Sequence, residues 1–377
     1  MRSLTFGRSL LEQWMLDPEW VFLNNGSFGA TPKVVLAEQD RWRQGLERQP
    51  LQFMRELPAR IRDICDRLGH SFGADGQDIA LVTNASSGVH SVLSSLEFSS
   101  GDELLTTGHA YGAVRQAMRH FAERSGATVV EAEVPFPIAS SEEVVTAVRK
   151  AITPRTRLAV LDHITSFSGL VYPIEALVAE CRSRGIPVLV DGAHAPGTVP
   201  IDLRSLDADF YTGNLHKWLF APKGCGFLWV KPEHQSKIHP TVISHGYQQG
   251  FTEEFDWTGT FDPSAWLSIP AALTFAANLG IEEMRSYNRT LCAEAAALLS
   301  ETWGVTLPAP PEMRGFSATL PYPGEFPASE APRLAGALQA RRIEVHISPW
   351  GGRCWLRVSA QVYNERSDYE ILAHAIS

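Results

Sequence analysis

Val188-Leu189-Val190-Asp191-Gly192-Ala193-His194 is a short apolar run that ends in an acidic, glycine-containing turn. The apolar part predicts a strand buried on both faces, as in a parallel sheet covered by helices. A carboxylate at the end of such a strand is costly unless a cation or hydrogen-bond donors meet it. Asp191 is therefore a candidate binding residue, although a lone aspartate is more commonly a helix cap or a structural residue.

Strand and helix patterns alternate on both sides of this run. Apolar stretches that predict strands precede it at 79–83, 103–107, 127–132 and 157–162, and amphipathic helical patterns separate them. Two further strands, at 209–212 and 225–230, are expected to lie against the same sheet. Short apolar strands joined by helices predict an α/β fold with a mostly parallel sheet.

The regions outside this alternation are helical or mixed. An Arg-rich helical stretch covers 32–69, and we expect breaks near Pro50 and Pro58 because proline interrupts helix hydrogen bonding. After Gly280 come a helix, a Pro-rich passage at 308–327, a helix near 333–341, and two short strands at 344–347 and 354–358. This order predicts a small α+β domain at the end of the chain.

The composition is that of an ordinary globular protein, with 44% hydrophobic and 20% charged residues. The 33 basic residues against 42 acidic ones give a net charge of −9, which disfavours nucleic acid and anionic membranes as partners. No apolar run is long enough to span a bilayer, and no signal peptide is evident. Five scattered cysteines without a CxxC pair favour reduced thiols, a cytoplasmic location and no metal site.

Polar residues follow the predicted strands at 84–88, 109–111, 163–166, 191–194 and 214–217. Ligands of open α/β sheets bind beyond the carboxyl ends of the strands, so these loops are expected to face one crevice. Thr83-Asn84-Ala85-Ser86-Ser87-Gly88 turns from a strand into a helix, and free amide groups with serine hydroxyls there suit a phosphate. Ser86 as an ordinary N-cap is the competing interpretation.

Lys217 differs from the other five lysines because it lies in the apolar stretch Leu215-His216-Lys217-Trp218-Leu219-Phe220. Loss of hydration there lowers the pKa of an amine and makes it available to attack an aldehyde. A lysine that reaches solvent from a core segment is the alternative. Only 26 residues separate Asp191 from Lys217, so both can approach one ring whose protonated nitrogen meets the carboxylate.

Together these segments resemble the class V aminotransferase family, which has fold type I of the pyridoxal-phosphate (PLP) enzymes. The resemblance covers nearly the whole chain. Asp191…His194 resembles the family's ring-binding motif and Asn214-Leu215-His216-Lys217 its Schiff-base motif, with Leu215 where a small residue is more usual. Trp257-Thr258-Gly259-Thr260 resembles the loop that reaches a neighbouring subunit's phosphate, and Arg357-Val358-Ser359 the segment that binds the substrate α-carboxylate.

The resemblance implies a large domain with a seven-stranded type of sheet and a small α+β C-terminal domain. We predict an N-terminal segment at 1–30 that packs on both domains, a PLP-binding domain at 31–279, and a small domain at 280–377. It also implies a homodimer with a shared active site, in which Gly259 and Thr260 complete the partner's site.

The resemblance further implies a role for individual residues. Lys217 forms the Schiff base and moves the Cα proton, and Asp191 binds the pyridine nitrogen. Tyr111, in preference to His109, stacks on the ring and acts as an acid or base, while Asn25 lines the substrate side and Arg357 binds the carboxylate. The remaining predicted contacts to PLP come from Ser86, Ser87, Ser166, His194, Asn214, His216, Gly259 and Thr260.

Three stretches (23–29, 109–114 and 357–364) resemble the isopenicillin N epimerase branch, which also contains cysteine desulfhydrase-like proteins and β-lyases of ergothioneine synthesis. The leading hypothesis is therefore an epimerase-like enzyme acting at Cα of an amino acid or a peptide-like substrate. A C–S β-lyase and an aminotransferase remain open. A persulfide mechanism is disfavoured, because 347–352 contains no cysteine.

Two hypotheses come from other classes. In the first hypothesis, the chain is a catalytically silent PLP-fold binding protein. The presence of Lys217, Asp191 and Arg357 together argues against it. A metal hydrolase built from His109, His194 and His216 is the second, and no HExxH-like spacing supports it.

Overall fold

A computed structural model describes residues 5–376 of the chain. Its strands are β1 Val21–Phe22, β2 Ile79–Val82, β3 Glu103–Thr107, β4 Thr128–Ala132, β5 Thr156–Asp162, β6 Val188–Gly192, β7 Phe210–Asn214, β8 Gly226–Val230, β9 Ser317–Pro321, β10 Ile343–Glu344, β11 His346–Trp350 and β12 Arg353–Ser359. Its α-helices are α1 Asn25–Phe28, α2 Lys33–Arg48, α3 Pro50–Phe72, α4 Ala85–Ser95, α5 Gly112–Ser125, α6 Ser141–Ala151, α7 Ile174–Arg182, α8 Leu203–Leu206, α9 Leu215–Trp218, α10 Phe251–Asp256, α11 Ser264–Leu267, α12 Ile269–Leu279, α13 Ile281–Trp303, α14 Ala331–Gln339 and α15 Arg366–Ile376.

The large sheet has seven strands in the order β2-β8-β7-β6-β5-β3-β4. Strands β4, β3, β5, β6 and β7 pair in parallel, whereas β8 runs antiparallel to both β7 and β2. The sheet is therefore mostly parallel, as the sequence predicts. The two strands expected to lie against it, β7 and β8, are integral members of it.

Apart from the half-exposed edge strand β4, the sheet is buried on both faces, because apolar residues stand at successive positions of its strands. In β6, Val188 and Val190 join one core cluster, and Leu189 joins a second cluster on the opposite face. Successive side chains of a strand point to opposite faces, so the unbroken apolar runs supply two cores at once. Helices α4 and α5 contribute to the second cluster, and α3 and α7 to the first.

The C-terminal part has its own three-stranded antiparallel sheet in the order β11-β12-β9. A third core cluster joins this sheet to α13, α14 and α15. The chain near the N-terminus contributes to both parts, since Leu10 and Trp14 join the first core while Val21 and Leu23 join the third. The domain limits at residues 30 and 279 stay predictions.

Two expectations about local structure differ from the fold. Pro58 lies inside α3 and does not break it. Leu57 and Ile61 on either side of it are fully buried, and their packing offsets the hydrogen bond that proline removes. The Pro-rich passage at 308–327 contains strand β9, whose five residues are all buried against β12.

None of the described helices is by itself long and apolar enough to cross a bilayer. The stretches Ser264–Leu279 and Ile281–Trp303 reach that length and composition only as a pair, and they are bent by 72° relative to each other.

Candidate active site

The carboxyl ends of the parallel strands border a cavity of about 330 Å³, here called the strand-end cavity. Its wall includes Ser86, Asp191, His194, Asn214 and Lys217, which come from the strand–loop junctions. A second cavity of about 450 Å³, the hairpin cavity, lies beside the β11–β12 hairpin and includes Trp350 and Arg357 in its wall. The residues common to both walls are Ser27, Phe28, Tyr111, Ser166 and Lys217.

Lys217 lies in the single-turn helix α9, directly after the buried strand β7. Its Nζ lies 2.9 Å from Nε2 of His194. Burial, with a further contribution from the positive charge of Arg357, lowers the pKa of Lys217 to about 7. The amine is therefore largely neutral just above neutral pH, as a nucleophile requires.

Two carboxyl groups lie side by side on adjacent strands. Asp191 of β6 and Asp162 of β5 are register partners, and both are buried in the wall of the strand-end cavity. Burial raises the pKa of both, and the neighbouring Asp191 raises that of Asp162 further. Asp191 accepts a 3.0 Å hydrogen bond from the backbone N–H of Ala193, and this bond and the nearby Lys217 lower its pKa against the effect of burial.

The histidines at the site are held as neutral rings. His194 is buried between Lys217 and Trp218, and burial lowers its pKa well below the usual value. His216 bonds through Nδ1 to the carbonyl oxygen of Cys225 at 3.0 Å, and burial lowers its pKa to about 4. Because a carbonyl oxygen only accepts, the single proton of the neutral His216 ring lies on Nδ1, and its Nε2 can only accept a hydrogen bond.

The start of helix α4 also borders the strand-end cavity. Asn84 caps the helix by accepting from the N–H of Ser87, and the side chain of Asn214 accepts from the N–H of Ala85 at 2.8 Å. Ser86 lines the cavity, whereas the hydroxyl of Ser87 pairs with Thr83 at 2.7 Å. The helix N-terminus and Ser86 together suit an anionic group.

Arg357 is a buried cation at the hairpin cavity. Its guanidinium donates to the carbonyl oxygen of Ser166 and, at 3.3 Å, to the hydroxyl of Ser27, while its buried Nε has no partner among residues 5–376. Burial lowers its pKa to about 10, so it is still charged at neutral pH. An uncompensated buried guanidinium facing a cavity is suited to bind a carboxylate.

Asn25 is buried and is not among the residues that line the hairpin cavity, and its place on the substrate side stays a prediction. Its amide group donates to the carbonyl oxygen of Lys217 at 3.0 Å and accepts from the hydroxyl of Tyr363 at 2.9 Å. Both ends of the amide are therefore used within the protein. Its neighbours Asn24 and Ser27 line the cavity instead.

Tyr111 and His109 differ in their surroundings. Tyr111 lines both cavities and is 47% exposed, whereas His109 is buried, with Ser168 on one ring nitrogen and the carbonyl oxygen of Val134 on the other. Gly259 and Thr260 line neither of the two cavities described here. Their predicted role in a partner's site stays a prediction.

The three histidines of the metal-hydrolase hypothesis do not converge. Within residues 5–376, the one group of side chains spaced to hold a metal ion is Asp209, Glu233 and His234. It lies at the opposite end of β7 from Lys217, and His234 bonds to Asp209 at 2.8 Å.

The site thus combines a neutral amine, a buried carboxylate and a helix N-terminus on one cavity, with a carboxylate-binding arginine beside it. Residues 21–372 match the profile of the class-V aminotransferase family. The chain belongs to that family. Like its relatives, this class-V protein is a PLP-dependent enzyme.

Two curated relatives are similar over almost the whole chain. A putative L-cysteine desulfhydrase of Oryza sativa subsp. japonica is 36% identical, over 94% of this chain and 82% of the relative. The isopenicillin N epimerase of Streptomyces clavuligerus is 34% identical, over 96% of this chain and 95% of the relative. Relatives of both kinds support the branch that the sequence indicates.

The fold is shared with solved structures. A mutant of C-DES, with glycine covalently linked to its PLP cofactor, superposes with a TM-score of 0.84 at 21% identity, covering 97% of this chain and 98% of that one. C-DES in complex with cysteine persulfide, described as a cystine C–S lyase, gives a TM-score of 0.82 at 21% identity, covering 95% of this chain and 97% of that one. The class-V chain therefore has fold type I.

The residues present fit PLP. Lys217 offers a neutral amine for the aldehyde, Asp191 offers a buried carboxylate for the ring nitrogen, and the start of α4 with Ser86 suits the phosphate.

Asp162 was not identified from the sequence, although it ends an apolar strand just as Asp191 does. The same rule, that a carboxylate at the end of a buried strand is a candidate binding residue, identifies Asp162 as well.

Proposed function

We propose that the protein removes and returns the proton at Cα of an L-amino acid, with PLP held through Lys217. The observation that carries this proposal is the position of Lys217 on the wall common to both cavities, with a pKa lowered to about 7. A neutral amine placed there can hold the cofactor and then accept a proton from a substrate in the hairpin cavity.

The chain's own residues divide the work of binding. Asp191 would hold the ring nitrogen, and Ser86 with the N-terminus of α4 would hold the phosphate. Bound PLP supplies an aldehyde for the amine and a ring that stabilises negative charge developing at Cα. Arg357 would bind the α-carboxylate and so place Cα beside Lys217.

The proposed outcome is epimerisation, in which a proton is removed from one face of Cα and returned to the other. Lys217 and Tyr111 line both cavities and carry an amine and a phenol, which are the two proton-transfer groups that this reaction needs. The isopenicillin N epimerases among the relatives support this choice.

Proton exchange in heavy water tests the proposal. Incubation of the holoenzyme with L-amino acids is expected to place deuterium at Cα with inversion and without pyruvate. Tyr111→Phe is expected to keep exchange but lose most of the inversion, whereas Tyr247→Phe, an exposed tyrosine outside both cavities, changes neither. Absence of exchange with every amino acid would overturn the proposal.

A C–S β-lyase is the second candidate, because several relatives are L-cysteine desulfhydrases. It predicts release of pyruvate and ammonia from cysteine or its conjugates. The five cysteines are buried and none lines either cavity, so a persulfide-forming cysteine is not proposed. A requirement for an oxo-acid acceptor would select an aminotransferase instead.

Two further proposals concern the setting of the enzyme. We propose a homodimer in which Gly259 and Thr260 approach the partner's phosphate site, supported by the exposure of Phe28, 72% exposed although it borders both cavities. An active monomer in sedimentation experiments would contradict it.

We also propose a cytoplasmic location, supported by the five unpaired cysteines. Fractionation of the producing cells tests this location.

A further inference from the structure

The hairpin cavity has room for more than the α-amino and α-carboxyl groups of a substrate. If the proposed function holds, Arg357 takes the α-carboxylate and Lys217 lies beside Cα. The substrate side chain then occupies the rest of the cavity, whose wall includes His109, Phe167 and Trp350. The nature of that wall determines which side chains bind well.

An aromatic cluster forms this part of the wall. It is defined by His109, Phe136, Phe167, Trp350 and Trp355, which come from three loops of the large sheet and from the β11–β12 hairpin. Phe167 and Trp350 lie 5.4 Å apart between ring centroids, and His109 lies 5.3 Å from Trp350. Only part of the cluster faces the cavity: Phe136 and Trp355 do not line it.

Hydrogen bonds hold the cluster in place. The indole N–H of Trp355 donates to the carbonyl oxygen of Trp350 at 3.1 Å, and the hydroxyl of Thr319 donates to the carbonyl oxygen of Phe167 at 2.9 Å. His109 is fixed by Ser168 and Val134. A wall that is already ordered loses little conformational entropy when a ligand binds.

The charges around the cavity exclude a cationic side chain. No acidic residue lines the hairpin cavity within the described part of the chain. Arg115 on the cavity wall is paired with Glu131 at 3.2 Å, and His346 is neutral at pH 7 because burial lowers its pKa to about 4. A charged side chain would lose its hydration here without a free partner of opposite charge.

We propose that the aromatic wall selects L-amino acids with a large, uncharged, aromatic or otherwise apolar side chain, and that Trp350 and Phe167 are the residues that determine this specificity. This inference rests on the proposed function and names its substrate class. Aromatic rings recognise such groups by offset or edge-to-face packing, in addition to the burial of apolar area.

The test compares binding and Cα exchange for four probes: L-phenylalanine, L-alanine, L-glutamate and L-lysine. Binding is followed by the absorbance change of the holoenzyme, which does not require turnover. We expect L-phenylalanine to bind and exchange best, and its preference over L-alanine to fall about tenfold in Trp350→Ala and in Phe167→Ala.

Phe136→Ala is the matched control, because it removes a ring from the same cluster without changing the wall of the cavity. It is expected to lower thermal stability while leaving the preference for L-phenylalanine intact. If Phe136→Ala changes the preference as much as Trp350→Ala does, the cluster serves only to hold the hairpin, and the inference is wrong.

The remaining outcomes separate the inference from the proposed function. Equal binding of L-alanine and L-phenylalanine, or a preference for L-glutamate or L-lysine, overturns the inference while Cα exchange upholds the proposed function. Absence of both spectral change and exchange with all four probes overturns the proposed function itself.

Discussion

The lowered pKa of Lys217 predicts an unusual pH dependence for the reaction of the apoprotein with PLP. A lysine with the ordinary value of 10.5 is neutral in about one molecule in a thousand at pH 7.5. With a pKa of about 7, as burial and Arg357 impose, about three quarters of the Lys217 side chains are neutral at that pH. The difference amounts to about 5 kcal/mol in favour of the neutral amine.

The assay is the rate at which apoprotein changes the absorbance of added PLP, measured between about pH 5 and about pH 10. Because only the neutral amine reacts, the rate should rise as pH increases through about 7 and then level off. Free Nα-acetyl-lysine, treated in the same way, corrects for the ionisation of PLP itself. A rate that continues to climb toward pH 10 would refute the reasoning.

A variant pair tests the cause of the shift. Arg357→Gln removes the largest charge that lowers the pKa of Lys217, so the midpoint should move to higher pH. Arg353→Gln is the matched control, since this arginine lies on the same strand but is exposed and lies over the ring of Trp355. An unchanged midpoint in Arg357→Gln would mean that its charge does not act on the amine.

Three further predictions concern the residues around the site. Burial and Asp191 raise the pKa of Asp162 and so favour its neutral form, and Asp162→Asn should therefore retain activity within about threefold. Asp162→Ala, which loses the acceptor for the backbone N–H of Tyr111, should lower kcat about tenfold or more; equal loss in both variants would contradict this. Gly29→Ala should weaken PLP binding, measured by equilibrium dialysis. Gly29 has a φ of 70°, which disfavours any side chain, and a Cβ there would lie 2.9 Å from Cα of Lys217. Unchanged affinity would contradict this close contact. Leu189→Ala should reduce the free energy of unfolding by about 2–5 kcal/mol in urea titrations, since the side chain is fully buried within the sheet; a loss below about 1 kcal/mol would show that the core collapses around the cavity.

Local patterns in the sequence are sufficient to predict the large sheet. The strand that ends at Asp191 begins with three apolar residues in succession, and such runs arise when both faces of a strand are buried. The polar residue that ends each run then lies at the same edge of the sheet. For this reason the sequence alone predicts that the lysine, the aspartate and Ser86 border one cavity.

The sequence is less informative where tertiary contacts decide the outcome. Pro58 looks like a helix break, yet burial of its neighbours keeps α3 intact. The partner of Asn25 is not evident from the sequence, because Tyr363, which donates to its side-chain oxygen, lies more than three hundred residues away. The aromatic cluster brings together Phe136 and Trp350, and no local pattern links such distant positions.

The most direct test of the central claim is to identify the lysine that holds PLP. Borohydride reduction of the holoenzyme followed by mass spectrometry of its peptides should find the cofactor on Lys217, and Lys217→Ala should carry no fixed adduct. Lys223→Ala, which removes an exposed lysine at the same cavity wall, should still be labelled at Lys217. An adduct on any other lysine, or equal labelling of Lys217→Ala, would contradict the account.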